Sequence, residues 1–299
     1  MRRILSSLGF TVALLCPWTA FAQTAPTSCT TTSQNLWVRD QLNLYYYWYQ
    51  FLTPGVNPAT FNSPEAYLEA VRYRPIDNSF SFITPAASND AFYSDSQFIG
   101  YGFGNQTTTD GIRVLQVYDD SPASEVGLSR GDRIISVNGQ SVASMIAAGT
   151  IGNAFGAAEV GVASTIEWDT PAGARRSARM VKRLVTIPTV SLTSVTTVDG
   201  RKVGYLFFRN FVQPSTAALS DAFAALKTAG VTELILDLRY NGGGLVDVAV
   251  HLASLIGGSR TSGQVMLNYV HNDKVGPQLN KSTRFTSPDQ ALNLQRLVV

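Results

Sequence analysis

The residues of this sequence with the clearest chemical potential are three consecutive glycines, Gly242-Gly243-Gly244. An apolar run at 234–236, typical of a strand buried on both faces, precedes them, and the apolar spacing of residues 246–256 predicts a helix after them. Loops at the carboxyl ends of such strands are where α/β folds place ligands. Because glycines leave the backbone N–H groups unobstructed and the helix adds its positive end, the loop suits an anion, either a phosphate or a transient oxyanion.

The surrounding residues favour the oxyanion over the phosphate. A dinucleotide-binding pattern would need Gly or Ala at position 247, where Asp247 stands, and the Gly-Lys-Ser/Thr of a P-loop is absent. An oxyanion hole for acyl transfer remains, in which removing one N–H donor costs about 10²–10³ in rate. The alternative is a tight strand-to-helix turn that does no chemistry.

Candidate nucleophiles and bases near the loop lack a suitable setting. Three serines (Ser254, Ser259 and Ser262) lie in or just beyond the predicted helix, and two lysines (Lys274 and Lys281) lie in a polar loop. We expect these lysines to be ordinary solvated charges.

A Ser-His-Asp triad would have to use one of two histidines. His251 lies inside an apolar helix, which predicts a packed core residue, and His271 beside Asn272 predicts a loop residue. Cys29 is the one cysteine outside the N-terminal leader, so an intrachain disulfide and a Cys/His zinc cluster are both excluded.

The N-terminal leader has the pattern of an export signal. Met1-Arg2-Arg3 is a positive start, residues 4–16 are largely apolar, and Ala20-Phe21-Ala22 is a cleavage pattern, so residues 1–22 are predicted to be removed. The alternative is a membrane anchor, but the apolar run is shorter than the roughly 20 residues of a span. We therefore expect a periplasmic or extracellular protein without a stable membrane span.

Composition and charge limit the function classes further. Hydrophobic residues make up 45% and charged residues 15% of the 299 residues, which excludes wholesale disorder. The net charge of +2 is 23 basic minus 21 acidic residues, and Arg2 and Arg3 account for it. The remainder is neutral, which argues against a nucleic-acid partner.

Hydrophobic patterns divide the remaining chain into three parts after a tether at 23–33. Residues 34–79 predict a helical cap, with one helix at 35–51 and a second that Ser63 caps and that runs to Arg72. We interpret its Tyr/Trp cluster as packing, with a ligand cage as the alternative.

Residues 80–185 show the signals of a β-rich module, and residues 186–299 those of an α/β unit. The first has strands at 111–118 and 134–137 and a hairpin joining 165–168 to 177–181. The second has a strand at 202–208, a helix at 215–229 and the glycine-loop strand, which predict parallel pairing.

Two motifs resemble a known family. Asp237-Leu238-Arg239-Tyr240-Asn241-Gly242-Gly243-Gly244 resembles the D-L-R-x-N-x-G-G signature of the C-terminal processing peptidases, peptidase family S41. Upstream, Ser121-Pro122-Ala123, Gly127-Leu128, Gly131-Asp132, Ile134 and Val137-Asn138-Gly139 resemble a bacterial PDZ domain, and residues 98–103 resemble its carboxylate-binding loop. The resemblance implies a multidomain α+β and α/β fold: a helical cap, a PDZ domain at 80–185, and a partial α/β core of the ClpP/crotonase type at 186–299.

The resemblance also implies an activity and its residues. Family members are serine endopeptidases with a lysine base, and they need no metal or cofactor. Gly243 or Gly244, with Gly243 favoured, would supply the oxyanion hole, while Asp237, Arg239 and Asn241 would shape the loop. The PDZ loop (Ile99, Gly100, Tyr101, Gly102 and Phe103) would bind the C-terminal tails of protein or peptide substrates.

The sequence departs from the family in one respect. The serine and lysine of the family lie beyond a strand that follows the glycine-loop helix, and this sequence stops at Leu297-Val298-Val299, which looks like that strand. We therefore expect no peptidase activity from the chain as given, and low solubility because of an open apolar strand edge. The alternative function is a non-catalytic PDZ peptide-binding protein.

Overall fold

The computed structural model describes residue 26 and residues 28–299, so the export leader predicted at residues 1–22 lies outside the described residues. Internal contacts divide the chain into two compact units. The first contains the described residues up to Ile83 together with His271–Pro277. The second contains Thr84–Val270 and Gln278–Val299. In the described part of the chain, no helix combines the length and apolar character that a bilayer crossing requires.

Two helices form the frame of the first unit. Helix α1 (Thr31–Tyr45) begins where the Thr30 side chain accepts a hydrogen bond from the Ser33 N–H, so the last residues of the predicted tether are helical. Helix α2 (Pro64–Val71) begins as the sequence predicts, because Ser63 accepts from the Ala66 N–H and Pro64 occupies the first turn. Short 3-10 turns occur at Tyr49–Phe51 and Pro58–Thr60.

The aromatic side chains of this unit pack together. Tyr46 and Tyr67 are buried in its core, where Tyr46 meets the edge of Trp48 with ring centroids 5.6 Å apart. Phe61 meets Tyr67 in the same manner at 5.5 Å. This is the geometry of a hydrophobic core rather than of an open cage.

The second unit begins with a helix and a β module, which we define as residues 97–186. Its elements are α3 (Ala86–Asp95), β1 (Gln97–Gly100), β2 (Phe103–Thr108), β3 (Gly111–Val117), α4 (Pro122–Glu125), β4 (Arg133–Val137), β5 (Gln140–Ser141), α5 (Val142–Ala147), β6 (Ala163–Asp169), β7 (Arg175–Val181) and β8 (Arg183–Thr186). Five strands form a sheet in the order β2-β3-β4-β6-β7, β5 pairs with β4, and β1 pairs with β8. The predicted strands and the β6–β7 hairpin are present. Helix α3 and strands β1, β2 and β8 were not predicted from the sequence.

The α/β core, residues 190–260 with β14, follows. The remaining elements are β9 (Val190–Val198), β10 (Arg201–Phe208), α6 (Ser215–Thr228), β11 (Glu233–Asp237), α7 (Val246–Gly257), β12 (Val265–Tyr269), α8 (Gly276–Leu279), β13 (Lys281–Arg284) and β14 (Arg296–Val298). The core sheet has the order β14-β11-β10-β9. Strands β10, β11 and β14 are parallel, as the strand-helix alternation predicts, and β9 is antiparallel to β10.

Helices α6 and α7 pack against the buried side of this sheet. Leu206, Phe208 and Leu236 join Leu219 and Leu255 of the helices in one hydrophobic cluster. The opposite face carries Ile235, which is 39% exposed. The prediction that the glycine-loop strand is buried on both faces is therefore wrong at Ile235, because no described helix lies over that face.

Candidate functional site

The glycine loop follows β11 and opens with an ion pair. Asp237 is buried at the end of the strand and accepts from Arg239 Nη2 at 2.6 Å and from the Tyr205 hydroxyl at 2.6 Å. The hydrogen bonds from Arg239 hold the pKa of Asp237 well below its usual range, and the same carboxylate raises the pKa of Tyr205. Asp237 is thus a fixed anion at the start of the loop.

Asn241 fastens the loop to the end of β10. Its Nδ2 donates to the Phe208 carbonyl at 3.1 Å, and its Oδ1 accepts from the Gly243 N–H at 2.8 Å. Its own N–H donates to the Leu238 carbonyl at 3.0 Å. The Asn241 side chain therefore sets the direction of the Gly243 peptide.

Gly244 lies against the backbone of Phe211. The Phe211 N–H donates to the Gly243 carbonyl at 3.1 Å, and the Leu245 N–H donates to the Phe211 carbonyl at 2.6 Å. Gly244 has a φ of +141°, and a Cβ there would stand 2.1 Å from the Phe211 oxygen. Only glycine permits this close approach.

The loop N–H groups differ in their availability. The Gly243 N–H is occupied by Asn241, whereas the N–H groups of Gly242 and Gly244 donate no hydrogen bond to any of residues 26 and 28–299. All three glycines are exposed. The geometry thus presents two unbonded donors at the carboxyl end of β11, and the expected role of Gly243 or Gly244 stays a prediction.

The other candidate nucleophiles and lysines are engaged elsewhere. The Ser254 hydroxyl is buried and accepts from the Thr286 N–H, and the Ser259 hydroxyl donates to Asn293 Oδ1. Lys274 donates to the Asn43 carbonyl, Lys281 lies over the Tyr269 ring, and Ser262 is exposed.

His251, predicted to be a packed core residue, lies on α7 and is half-buried rather than fully buried. Its Nε2 lies 2.9 Å from the Ser220 hydroxyl, and burial lowers the pKa of the imidazole. His271 lies in the 271–277 segment of the first unit.

The burial of one lysine was not predicted from the sequence. Lys182 is 5% exposed, and its Nζ donates to the carbonyls of Gly156 and Ala157 at 2.9 and 2.6 Å. Burial lowers its pKa. The signal was present in the alternation along β7, which places positions 178, 180 and 182 on one face.

A second candidate site lies between β1 and β2. The carbonyls of Tyr101 and Gly102 accept from the N–H groups of Ala123 and Tyr118, at 2.8 and 2.9 Å. The N–H groups of Tyr101 and Gly102 donate to none of the described residues. Because β2 ends its sheet, this pair of unbonded N–H groups lies beside an open strand edge.

The Tyr101 ring anchors this second site. It is 4% exposed, its hydroxyl donates to Ser164 at 2.8 Å, and its edge meets Phe155 with centroids 6.1 Å apart. Phe155 also meets Phe103 at 5.7 Å, so aromatic rings surround the start of β2. Within the described ranges, no cluster of three or more His, Cys, Asp or Glu residues could hold a metal ion.

These two sites define a class of protein in which a β module with an open strand edge joins an α/β core with an exposed glycine loop. Comparison with protein-family models assigns three segments of the chain to known domains. Residues 33–82 match the peptidase S41 N-terminal domain, residues 113–151 a PDZ domain, and residues 202–292 peptidase family S41. The chain is therefore similar to peptidase family S41 in its N-terminal and C-terminal segments, and the segment between them contains a match to a PDZ domain.

Curated relatives agree with this assignment. The chloroplastic C-terminal processing peptidase of Tetradesmus obliquus is 28% identical over 169 residues, which cover 52% of this chain and 36% of the relative. A probable CtpA-like serine protease of Staphylococcus aureus is 28% identical over 158 residues, covering 53% and 30%. The chain thus spans about a third of the length of these relatives.

A solved structure supports the fold. The crystal structure of a putative S41 protease from Bacteroides fragilis superimposes with a TM-score of 0.63 at 24% identity, covering 87% of this chain and 70% of that one. The expected mixed fold, with a PDZ domain and an S41 protease-like core, is confirmed.

Proposed function

We propose that this chain carries the tail-binding and oxyanion-binding parts of an exported serine endopeptidase of family S41. The glycine loop carries the proposal, because it presents unbonded N–H groups at the carboxyl end of β11 within the segment that matches the peptidase domain. Export to the periplasm or the extracellular space rests on the leader, and the mature N-terminus would be Gln23. N-terminal sequencing of the secreted protein checks that position.

The oxyanion donor is the N–H of Gly243 or Gly244. Gly243 is the favoured position of the family pattern, but its N–H would first have to leave Asn241 Oδ1. Gly244 needs no such change. The developing negative charge on a carbonyl oxygen would be stabilised by such a donor together with the positive end of α7.

The PDZ domain binds the C-terminal tails of substrates. A peptide carboxylate would accept from the N–H groups of Tyr101 and Gly102, and the peptide backbone would pair with the open edge of β2. The test is fluorescence anisotropy with labelled peptides that end in apolar residues. We expect binding to a free carboxylate and its loss on amidation, whereas equal binding of the two forms, or none, contradicts tail recognition.

The chain as given is proposed to lack peptidase activity. Lys182, Lys227 and Lys274 each donate to backbone carbonyls, so none of them serves as a base for a serine. We expect no cleavage of an unstructured protein substrate by the purified chain. Cleavage that follows the chain through successive purification steps would contradict this.

The alternative function is a non-catalytic peptide-binding protein. It is favoured by the carbonyl-bound lysines above, together with an intact tail-binding loop. Tail binding without cleavage in an organism that makes only these 299 residues would support it. Peptidase activity in a longer natural product of the same gene would support the endopeptidase instead.

A further inference from the structure

Arg209 occupies a junction between the PDZ domain, β10 and the glycine loop. It directly follows β10, and its guanidinium lies between the rings of Tyr118 and Tyr240, at 6.0 and 5.5 Å from their centroids. Its Nη2 donates to the Tyr118 hydroxyl at 2.9 Å, and its Nη1 donates to the Tyr240 carbonyl at 2.6 Å. One side chain thus connects the end of β3 with the loop.

The residue that Arg209 holds is in an unfavourable backbone conformation. Tyr240 has a φ of +67°, in the left-handed region, which costs a non-glycine residue about 1–2 kcal/mol. It comes directly before Asn241, whose side chain occupies the Gly243 N–H. The conformation of Tyr240 therefore determines where the glycine N–H groups point.

The PDZ domain supplies a second contact to the same residue. Arg130, in the turn between α4 and β4, donates from Nη2 to the Tyr240 hydroxyl at 3.1 Å and lies 5.7 Å from the ring centroid. The Tyr240 ring is thus placed between two guanidinium groups. Tyr118, the other PDZ contributor, is 4% exposed and is a rigid partner for Arg209.

We propose that Arg209 is a positioning residue, which holds Tyr240 in the left-handed conformation and so directs the N–H groups of Gly242 and Gly244. The functional meaning of this role rests on the proposed oxyanion function. Lysine cannot replace it, because an ammonium lacks the planar fork that reaches two oxygens while lying between two rings.

The test follows the loop conformation by NMR and amide hydrogen exchange in the full 299-residue chain. We expect Arg209→Met to shift the Gly242 and Gly244 amide signals and to lower the protection of the Asn241 N–H, bonded to Leu238, by at least tenfold. Arg209→Lys should give the same result. Amides of β11 should keep their protection, and the control Arg179→Met, at an exposed position of β7, should change none of these signals. Unchanged Asn241 protection in Arg209→Met overturns the proposal.

A second variant separates positioning from simple packing. Tyr240→Gly removes the cost of the left-handed conformation, so adding Arg209→Met to it should lower Asn241 protection less than threefold. A tenfold loss in both backgrounds would show that Arg209 acts by packing and would overturn the positioning role. Because loop conformation is the readout, the result is independent of the oxyanion function. That function fails separately, if a longer, active form of the protein keeps its turnover when Gly243 and Gly244 are substituted.

Discussion

At Gly244 the loop backbone contacts the backbone of Phe211. This contact explains why position 244 requires glycine, which the sequence alone does not reveal. Replacing Gly244 with Ala would place a Cβ 2.1 Å from the Phe211 oxygen, at a φ of +141°. We expect Gly244→Ala to destabilise the α/β core by about 2–4 kcal/mol through backbone displacement. Hydrogen exchange of the β11 amides measures this change.

The neighbouring glycine provides the matched control. A Cβ on Gly242 would meet nothing within 4 Å, and its φ is outside the left-handed region. Gly242→Ala should change the β11 protection by less than about 0.5 kcal/mol. Equal losses in the two variants would mean that the Phe211 contact does not restrict the loop.

The same loop shows what residue types can and cannot reveal. Three glycines between a strand and a helix predict an open anion site, and the structure places them as expected at the carboxyl end of β11. The occupation of the Gly243 N–H by Asn241 is invisible in the sequence, because it depends on a side-chain rotamer and on the Phe208 carbonyl, 33 residues away. The contacts of Arg209 could not be predicted from the sequence for the same reason, because they join residues that are far apart along the chain.

At the scale of elements, the segment His271–Pro277 completes the end of α1. Asn272 is 5% exposed, and its Nδ2 donates to the carbonyls of Leu44 and Tyr46 at 2.9 and 3.0 Å. Its Oδ1 accepts from the N–H groups of Lys274 and Val275. These bonds satisfy carbonyls that a helix end leaves without partners.

Asn272→Asp separates these two roles, because it keeps the acceptor and removes the donors. We expect a loss of about 1–3 kcal/mol from the first unit, since two carbonyls lose their partner beside a new negative charge. Urea unfolding followed by the fluorescence of Trp37 and Trp48, in a background that carries Trp18→Phe and Trp168→Phe, measures it. Asn43→Asp, at an exposed position of α1, is the control, and a similar loss there would contradict the capping role.

A buried pair between Tyr46, which directly follows α1, and Asp77, in the segment after α2, makes the first unit sensitive to alkaline pH. The Tyr46 hydroxyl donates to Asp77 at 2.9 Å, and burial together with this bond raises the pKa of Tyr46 to about 12. Because the pKa of Tyr46 in the folded state lies above the ordinary tyrosine value of 10.0, the stabilisation is complete below pH 10 and is lost as the pH rises toward 12. A shift of this size corresponds to about 2–3 kcal/mol.

The difference between wild type and Tyr46→Phe isolates this effect. We expect the unfolding free energy of wild type, relative to Tyr46→Phe, to fall by about 2 kcal/mol between pH 8 and pH 11.5. Tyr47→Phe, which changes a 55% exposed ring, should leave the pH dependence of wild type intact. A wild-type advantage that is the same at both pH values would rule out the buried tyrosine as its source.

Periodicity predicted most of the elements but not all of their surroundings. Helices α2, α6 and α7 and strands β3, β4, β6, β7, β10 and β11 follow from apolar spacing and capping residues. Strands β1, β2 and β9 were not predicted, because they are short, polar or half-exposed and lack a clear apolar pattern. Their pairing depends on partners far along the chain. Burial on both faces of β11 was wrong at Ile235 because an apolar run shows hydrophobicity but not which neighbours cover it.

At the scale of the whole molecule, the uncovered face of the core sheet governs behaviour in solution. Ile235 on β11 lies beside Tyr205 of β10 and Val298 of β14, and Leu192 of β9 is 52% exposed. Contiguous apolar surface of this kind favours association, and the exposed edges of β9 and β14 add unpaired backbone groups. We therefore expect the 299-residue chain to self-associate at micromolar concentrations.

Ile235→Lys tests this face directly, because the substituted side chain points to solvent at the centre of the patch. Sedimentation velocity across a concentration series should show self-association of wild type and a marked reduction in Ile235→Lys. Val160→Lys introduces the same charge at a 67% exposed position of the β module and should associate as wild type does. If both lysine variants reduce association equally, net charge rather than the open sheet face controls it, because a general repulsion would not depend on where the charge lies.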